Sequence, residues 1–211
     1  MKTLGRKGTA TRQVILESAR RAFTQSGYDV GVREIAEGAG VTAMLVNRYF
    51  GSKERLFEEV IDMVLATPGI LKREVMADAP DVSTLCKDLA AALVARTDPD
   101  ATPMDGVLIM LRSANNEQAS AILRKKFEAH FAQPLAALLP GRESAQRAAM
   151  LLAVIAGIQL MRQIVEMTAL TRAKPNDLAG QIEALFSVLV EDRHSKNART
   201  RKKIAVAAEA K

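Results

Sequence analysis

Val32-Arg33-Glu34-Ile35-Ala36-Glu37-Gly38-Ala39, then Gly40-Val41-Thr42, then Ala43-Met44-Leu45-Val46-Asn47-Arg48-Tyr49-Phe50: this stretch decides the fold. Val32, Ile35, Ala36 and Ala39 recur at the spacing that puts them on one face of a short helix. Gly40 ends that helix, and the Thr42 hydroxyl is placed to cap the next one, about 43 to 50. In the second helix Val46 and Phe50 lie one turn apart, and Asn47 falls on the opposite, outward side. Two short helices joined by a Gly-containing turn form a helix-turn-helix, whose tight turn sets the second helix at an angle that lets it enter a DNA major groove.

Upstream, Ile15, Ala19, Ala22 and Phe23 form a helical stripe over about 11–26, and Gly27 stops it. Downstream, Gly51-Ser52 breaks and recaps the chain before a helix over 53–66. Pro68-Gly69 and Pro80-Asp81 punctuate the following segment, after which helices are expected near 82–97, 103–115, 117–138, 143–168 and 176–192. That makes about nine helices and no strand signals, an all-α chain with a three-helix head and a larger helical body. The corresponding domains are 1–56 (arm and helix-turn-helix), 57–192 (helical body) and 193–211 (a basic, unstructured tail).

The composition agrees with helices: aromatics are 4 % of residues, Trp is absent, and the remaining apolar residues are mainly Ala, Leu, Val, Ile and Met. The single cysteine, Cys86, excludes an internal disulfide framework and a Cys-cluster metal site and reads as core. His130 lies between Phe127 and Phe131 without a metal-ligating neighbour, and no phosphate loop, nucleophile elbow or HExxH motif asks for catalysis, a cofactor or a metal. With no basic-then-apolar leader at its start, the protein is expected in the cytoplasm. The run Ala148 to Met161, flanked by Arg147 and Arg162, is shorter than the ~20 residues of a membrane span and reads as a buried helix. It is apolar on nearly every side, so one face needs cover from outside its own subunit. Leu152, Ile155 and Ile158, with Leu178, Ile182, Leu185 and Leu189 of the last helix, are the expected homodimer interface, a four-helix bundle.

Charge is partitioned along the chain. Of the net +6, residues 1–56 hold ten Lys/Arg against five acids and residues 193–211 seven against one, leaving 57–192 at −5. A basic head attracts a polyanion that an acidic body repels.

The runs Ile15-Leu16-Glu17-Ser18-Ala19-Arg20-Arg21-Ala22-Phe23-Thr24-Gln25-Ser26-Gly27-Tyr28, Val32 to Thr42, and Tyr49-Phe50-Gly51-Ser52-Lys53-Glu54-Arg55-Leu56-Phe57 closely resemble the signature of the TetR family of repressors. The resemblance covers about a quarter of the chain. Weaker similarity to the later helices of such regulators is carried by Phe127 to Leu139 and by the segment around Gly157. The resemblance implies an Ω-shaped homodimer that binds near-palindromic operator DNA and is released by a small apolar effector. It places Arg33, Thr42, Ala43, Met44, Asn47, Arg48, Tyr49 and Lys53 at the DNA, with Arg48, Tyr49 and Lys53 on backbone phosphates. Met44-Leu45-Val46-Asn47 departs from the family pattern, which often carries a hydroxyl residue and then Leu-Tyr there. Asn47 is therefore expected to read a base, since an outward Asn bonds adenine N6 and N7 in bidentate fashion. A second departure is Val30-Gly31, where the usual hydroxyl cap is replaced by glycine, itself an acceptable N-cap.

An effector pocket is expected among Met104, Met110, Phe127, Phe131 and Met161, because flexible thioethers and rings suit an adaptable apolar cavity. The same residues also fill ordinary helical cores. Lys2, Arg6 and Lys7 read either as a minor-groove arm or as a disordered terminus. Two other functions stay open from the residues alone: a nonspecific architectural DNA-binding protein, and a ligand-binding helical dimer whose head is impaired.

Overall fold

A computed structural model describes residues 6–66, 70–71, 81–97 and 104–191. Lys2, the Pro68-Gly69 and Pro80 breaks and the basic tail lie outside the described residues. Among those described, all regular structure is helical. The chain divides into two compact units, 1–68 with 103–128 and 69–102 with 129–211.

The first unit holds α1 (Arg6–Ser26), α2 (Val32–Gly38), α3 (Ala43–Phe50), α4 (Lys53–Ala66), α6 (Asp105–Ser113) and α7 (Glu117–Phe127), whereas α5 (Val82–Arg96) belongs to the second unit. Ile15, Ala19 and Phe23 of α1, Ile35 of α2, Val46 and Phe50 of α3 and Leu56, Phe57, Val60 and Ile61 of α4 close one apolar core with Ile109 and Leu123. The Phe57 ring stands edge-on to both Phe23 (5.0 Å) and Tyr28 (4.9 Å), a geometry that aligns ring edges with ring faces.

This unit extends past residue 56 because polar ties and packing bind α4, α6 and α7 to the head. The Tyr28 amide donates to Ser113 Oγ (2.9 Å), Arg20 pairs with Asp105 (2.6 Å), and Lys126 of α7 pairs with Asp62 of α4 (2.6 Å). The compact unit that holds the helix-turn-helix thus extends beyond residue 56 and takes in α4, α6 and α7. Helix α1 begins five residues before the expected Thr11. Lys7, Thr9 and Ala10 are exposed there, so no apolar stripe marks the turn, and Thr11 Oγ1 bonds the Lys7 carbonyl.

The second unit contains α5 (Val82–Arg96), α8 (Gln133–Leu138), α9 (Ser144–Gln163), the single turn α10 (Thr168–Thr171) and α11 (Pro175–Val190). Its core joins Leu85, Leu89 and Leu93 of α5 with Leu135, Leu151, Ile155, Ile182 and Phe186. Burial pushes the Cys86 thiol up to about 11. The continuous helix expected over 117–138 is interrupted by a π turn, Glu128–Ala132. Pro134 explains it: proline lacks an amide for the His130 carbonyl four residues back, and its ring crowds that oxygen. The helix expected over 143–168 ends at Gln163.

Helix α9 is long and apolar enough to cross a membrane, yet it packs one face, Ala148, Leu151 and Ile155, into this core. The two arginines that bracket its apolar run are both buried and serve as ties. Arg147 donates from Nη1 to the Val190 carbonyl and from Nη2 to the Pro140 carbonyl, closing the end of α11. Arg162 donates from Nη1 to the Val94 carbonyl (2.8 Å) and to Thr97 Oγ1, closing the end of α5. A cation among the last carbonyls of a helix satisfies orphan acceptors and opposes the negative end of its dipole.

Candidate nucleic-acid interface

The geometry of the head begins at its glycines. Gly27 ends α1 at φ +72° with its amide on the Phe23 carbonyl, and a Cβ there would overlap the Arg112 carbonyl. Gly40 at φ +65° turns the chain between α2 and α3. Ser18 Oγ donates to the Ile35 carbonyl (2.8 Å) and fixes α2 on α1. Gly31 begins α2 in an extended conformation with no side-chain bond, and Thr42 Oγ1 accepts from the Leu45 amide at the start of α3 (3.3 Å).

Helix α3 then divides by face. Val46 (2 % exposed) and Phe50 (4 %) are sunk in the core, whereas Met44 is 82 % exposed and Asn47 and Arg48 are exposed beside it. These three, at positions i, i+3 and i+4, form one solvent-facing stripe. A long apolar side chain held in water at the start of a helix does nothing for the fold. Thr42 is exposed, Ala43 half-buried, and Arg33 exposed at the start of α2.

Tyr49 and Lys53 stand differently. Tyr49 is half-buried and packs against the head core. Lys53 opens α4 with its ammonium 4.4 Å above the Tyr28 ring, an attraction between a cation and the ring's negative face. The Tyr28 hydroxyl donates to Glu54 Oε1 (3.0 Å). The Glu54 carboxyl is held below its ordinary range by the Ser52 hydroxyl, its own backbone amide and the Tyr28 hydroxyl; burial, with that carboxylate beside it, pushes the Tyr28 phenol far up. Arg12, on α1, lies over the Phe50 ring (4.7 Å) and pairs with Glu59, pinning the foot of α3. The α3 stripe was legible from helical spacing; these two cation–ring contacts join residues far apart in sequence and leave no local pattern.

The residues expected at an effector pocket are divided between the two units. Met110 and Phe127 pack against the core of the first unit, and Met104 is half-buried at the start of α6. Phe131 belongs to the second unit, in the π turn beside the His130 ring (4.9 Å), and Met161 of that unit is exposed. Of the expected interface residues, Ile155, Leu178 and Ile182 are spent in the subunit's own core. Ile155 faces inward because α8 and α11 pack on that side of α9, and Leu178 and Ile182 do so because α11 packs against α5 and α9. Leu152, Ile158 and Leu189 are half-buried and Leu185 is exposed, as are Met150 and Val188.

A short scaffold helix, a glycine turn and a second, Thr42-capped helix with an open polar and apolar stripe, in an all-α chain, define a helix-turn-helix protein. Two family models match: "Bacterial regulatory proteins, tetR family" over residues 15–60 and "Tetracyclin repressor-like, C-terminal domain" over 84–190. The chain belongs to the TetR family. It is 50 % identical over 50 residues to the regulatory protein RaaS of Mycobacterium tuberculosis, covering 24 % of each chain. It is 33 % identical over 105 residues to the repressor AcnR of Corynebacterium glutamicum, covering 45 % of this chain and 56 % of AcnR. The matches therefore span between a quarter and just over half of these relatives. Solved structures share the fold: a TetR-family regulator from Streptomyces coelicolor A3 (TM-score 0.58, 22 % identity, 91 % of this chain and 99 % of that one) and GusR of Salmonella enterica (0.62, 15 %, 86 % and 95 %). A third is the multidrug-binding protein EbrR complexed with malachite green (0.58, 23 %, 86 % and 98 %).

Proposed function

We propose that this chain is a sequence-specific, ligand-responsive transcriptional repressor that works as a cytoplasmic homodimer on near-palindromic DNA. The observation that carries the reading is the outward stripe of α3, where Met44, Asn47 and Arg48 share one exposed face. Asn47 bonds adenine through N6 and N7, and Met44 rests on the C5 methyl of a nearby thymine, the one apolar group a major groove displays. Arg33, Thr42, Ala43, Arg48, Tyr49 and Lys53 surround these readers at the DNA backbone, where contacts set register and carry no sequence information. Lys53 would leave the Tyr28 ring for a phosphate.

Dimerisation is supported by the apolar faces that α9 and α11 leave open, with Met150, Leu152 and Ile158 on one and Leu185, Val188 and Leu189 on the other. Release by an effector is supported by family membership and by the ligand held in EbrR; the effector acts by favouring a state that does not fit the operator.

Base reading is tested by binding to the selected operator and to scrambled DNA. Asn47→Ala weakens operator binding by a factor of about 10–100 and scrambled binding far less, following the ~1–3 kcal/mol of a bidentate base contact. Replacing one half-site thymine by deoxyuridine weakens the native protein but not Met44→Ala. Equal losses on both DNAs for Asn47→Ala would assign that residue to the backbone.

A further inference from the structure

Arg162 lies in the last turn of α9 at 3 % exposure. Its Nη1 bonds hold the end of α5, but Nε is sealed off without a partner, and among the described residues no carboxylate pairs with this guanidinium. The end of α5 returns only about half a charge. A buried cation balanced so incompletely has lost its hydration without a full counter-charge.

Arg162 is also part of the wall of a cleft of about 240 Å³ in the second unit. Val94 and Ala95 of α5 and Ala179 of α11 give it an apolar side, and Pro175-Asn176 bring the first turn of α11 to its edge. That turn has no side-chain cap: Lys174 occupies the N-cap position and offers no acceptor. Unbonded amides at the start of a sixteen-residue helix attract negative charge. Asp177, in the same turn, is exposed and does not line the cleft. A guanidinium, a positive helix end and an alkyl wall select one chemistry, an anionic head on a short hydrocarbon.

We propose that this cleft binds a small monocarboxylate, its carboxylate set between Arg162 and the first turn of α11 and its chain against Val94, Ala95 and Ala179. An engineered enclosed apolar cavity of roughly 150 Å³ holds benzene; the cleft here, of about 240 Å³ and open on one side, has room for a short acid. As the identity of the effector, the proposal rests on the ligand-responsive reading above; as a binding site it does not.

Calorimetry on the full chain without DNA tests it, with hexanoate and its uncharged analogue hexanol as probes. Hexanoate binds, and hexanol binds at least about tenfold more weakly. Ala179→Leu fills the cleft while leaving the Arg162 ties intact and abolishes hexanoate binding; Arg162→Gln weakens it at least about tenfold. Absence of hexanoate binding, equal binding of hexanol, or full binding by Ala179→Leu overturns the site. Operator binding by the same samples is measured separately: its loss would sink the regulator reading and leave the cleft standing, and a silent cleft beside intact operator binding would sink only this proposal.

Discussion

At Gly27 two demands meet that no other residue satisfies. The backbone is left-handed at φ +72°, and the Arg112 carbonyl occupies the space a side chain would need. Gly27→Ala is expected to destabilise the protein by about 2 kcal/mol or more, strain and overlap together, read as a lower midpoint in urea unfolding. The sequence marked Gly27 as a helix stop; the approach of Arg112, 85 residues away, was invisible to it. Glu54 gives a prediction in pH. Its carboxyl is depressed in the fold, so its contribution is whole above the ordinary glutamate value of 4.5 and disappears as pH falls below it. Glu54→Gln should therefore unfold more easily than the native chain at neutral pH and match it at low pH. Tyr28, shifted up, works in the other direction: its contribution is whole below the ordinary value of 10.0 and is lost as pH rises beyond it. Tyr28→Phe should remove the most alkaline step of the phenolate absorbance titration.

Among the elements, helices with one apolar stripe could be placed from spacing alone, and α2, α3 and α4 begin and end where their glycines and caps indicate. Where the departures lie, the cause is something periodicity does not encode. Pro134 opens a π turn in an otherwise helical run, and α1 extends through a turn with no buried face. Arg147 and Arg162 looked like flanking charges on an apolar helix, because sequence spacing cannot show which carbonyls a distant helix end will present. Arg147→Met should strip the donors from Val190 and Pro140 and cost about 1–3 kcal/mol, the penalty of leaving the buried Val190 acceptor bare, while the partly exposed Pro140 carbonyl turns to water. A denaturant series shows it; a change within experimental error would mean that water replaces the guanidinium at both oxygens.

For the whole molecule, α9 leaves Met150 exposed and Leu152 and Ile158 half-buried, apolar positions that the proposed dimer would cover, but the expected stripe was apportioned too generously. Ile155, Leu178 and Ile182 are interior to one chain. Leu185 (53 % exposed) and Val188 (50 %) are the sharper test of association. Leu185→Glu combined with Val188→Glu should convert the dimer to monomer in light-scattering chromatography while the helical signal persists; a dimer of unchanged mass would place the interface elsewhere. The −5 balance of residues 57–192, against a head at +5, favours the head over the body as a surface for DNA. The central claim is sequence-specific recognition by α3, and selection of bound fragments from a random DNA pool at several salt concentrations tests it most directly. A near-palindromic consensus, enriched at every salt concentration that permits binding, is the predicted result; salt-sensitive retention with no consensus, or no enrichment at all, would contradict it.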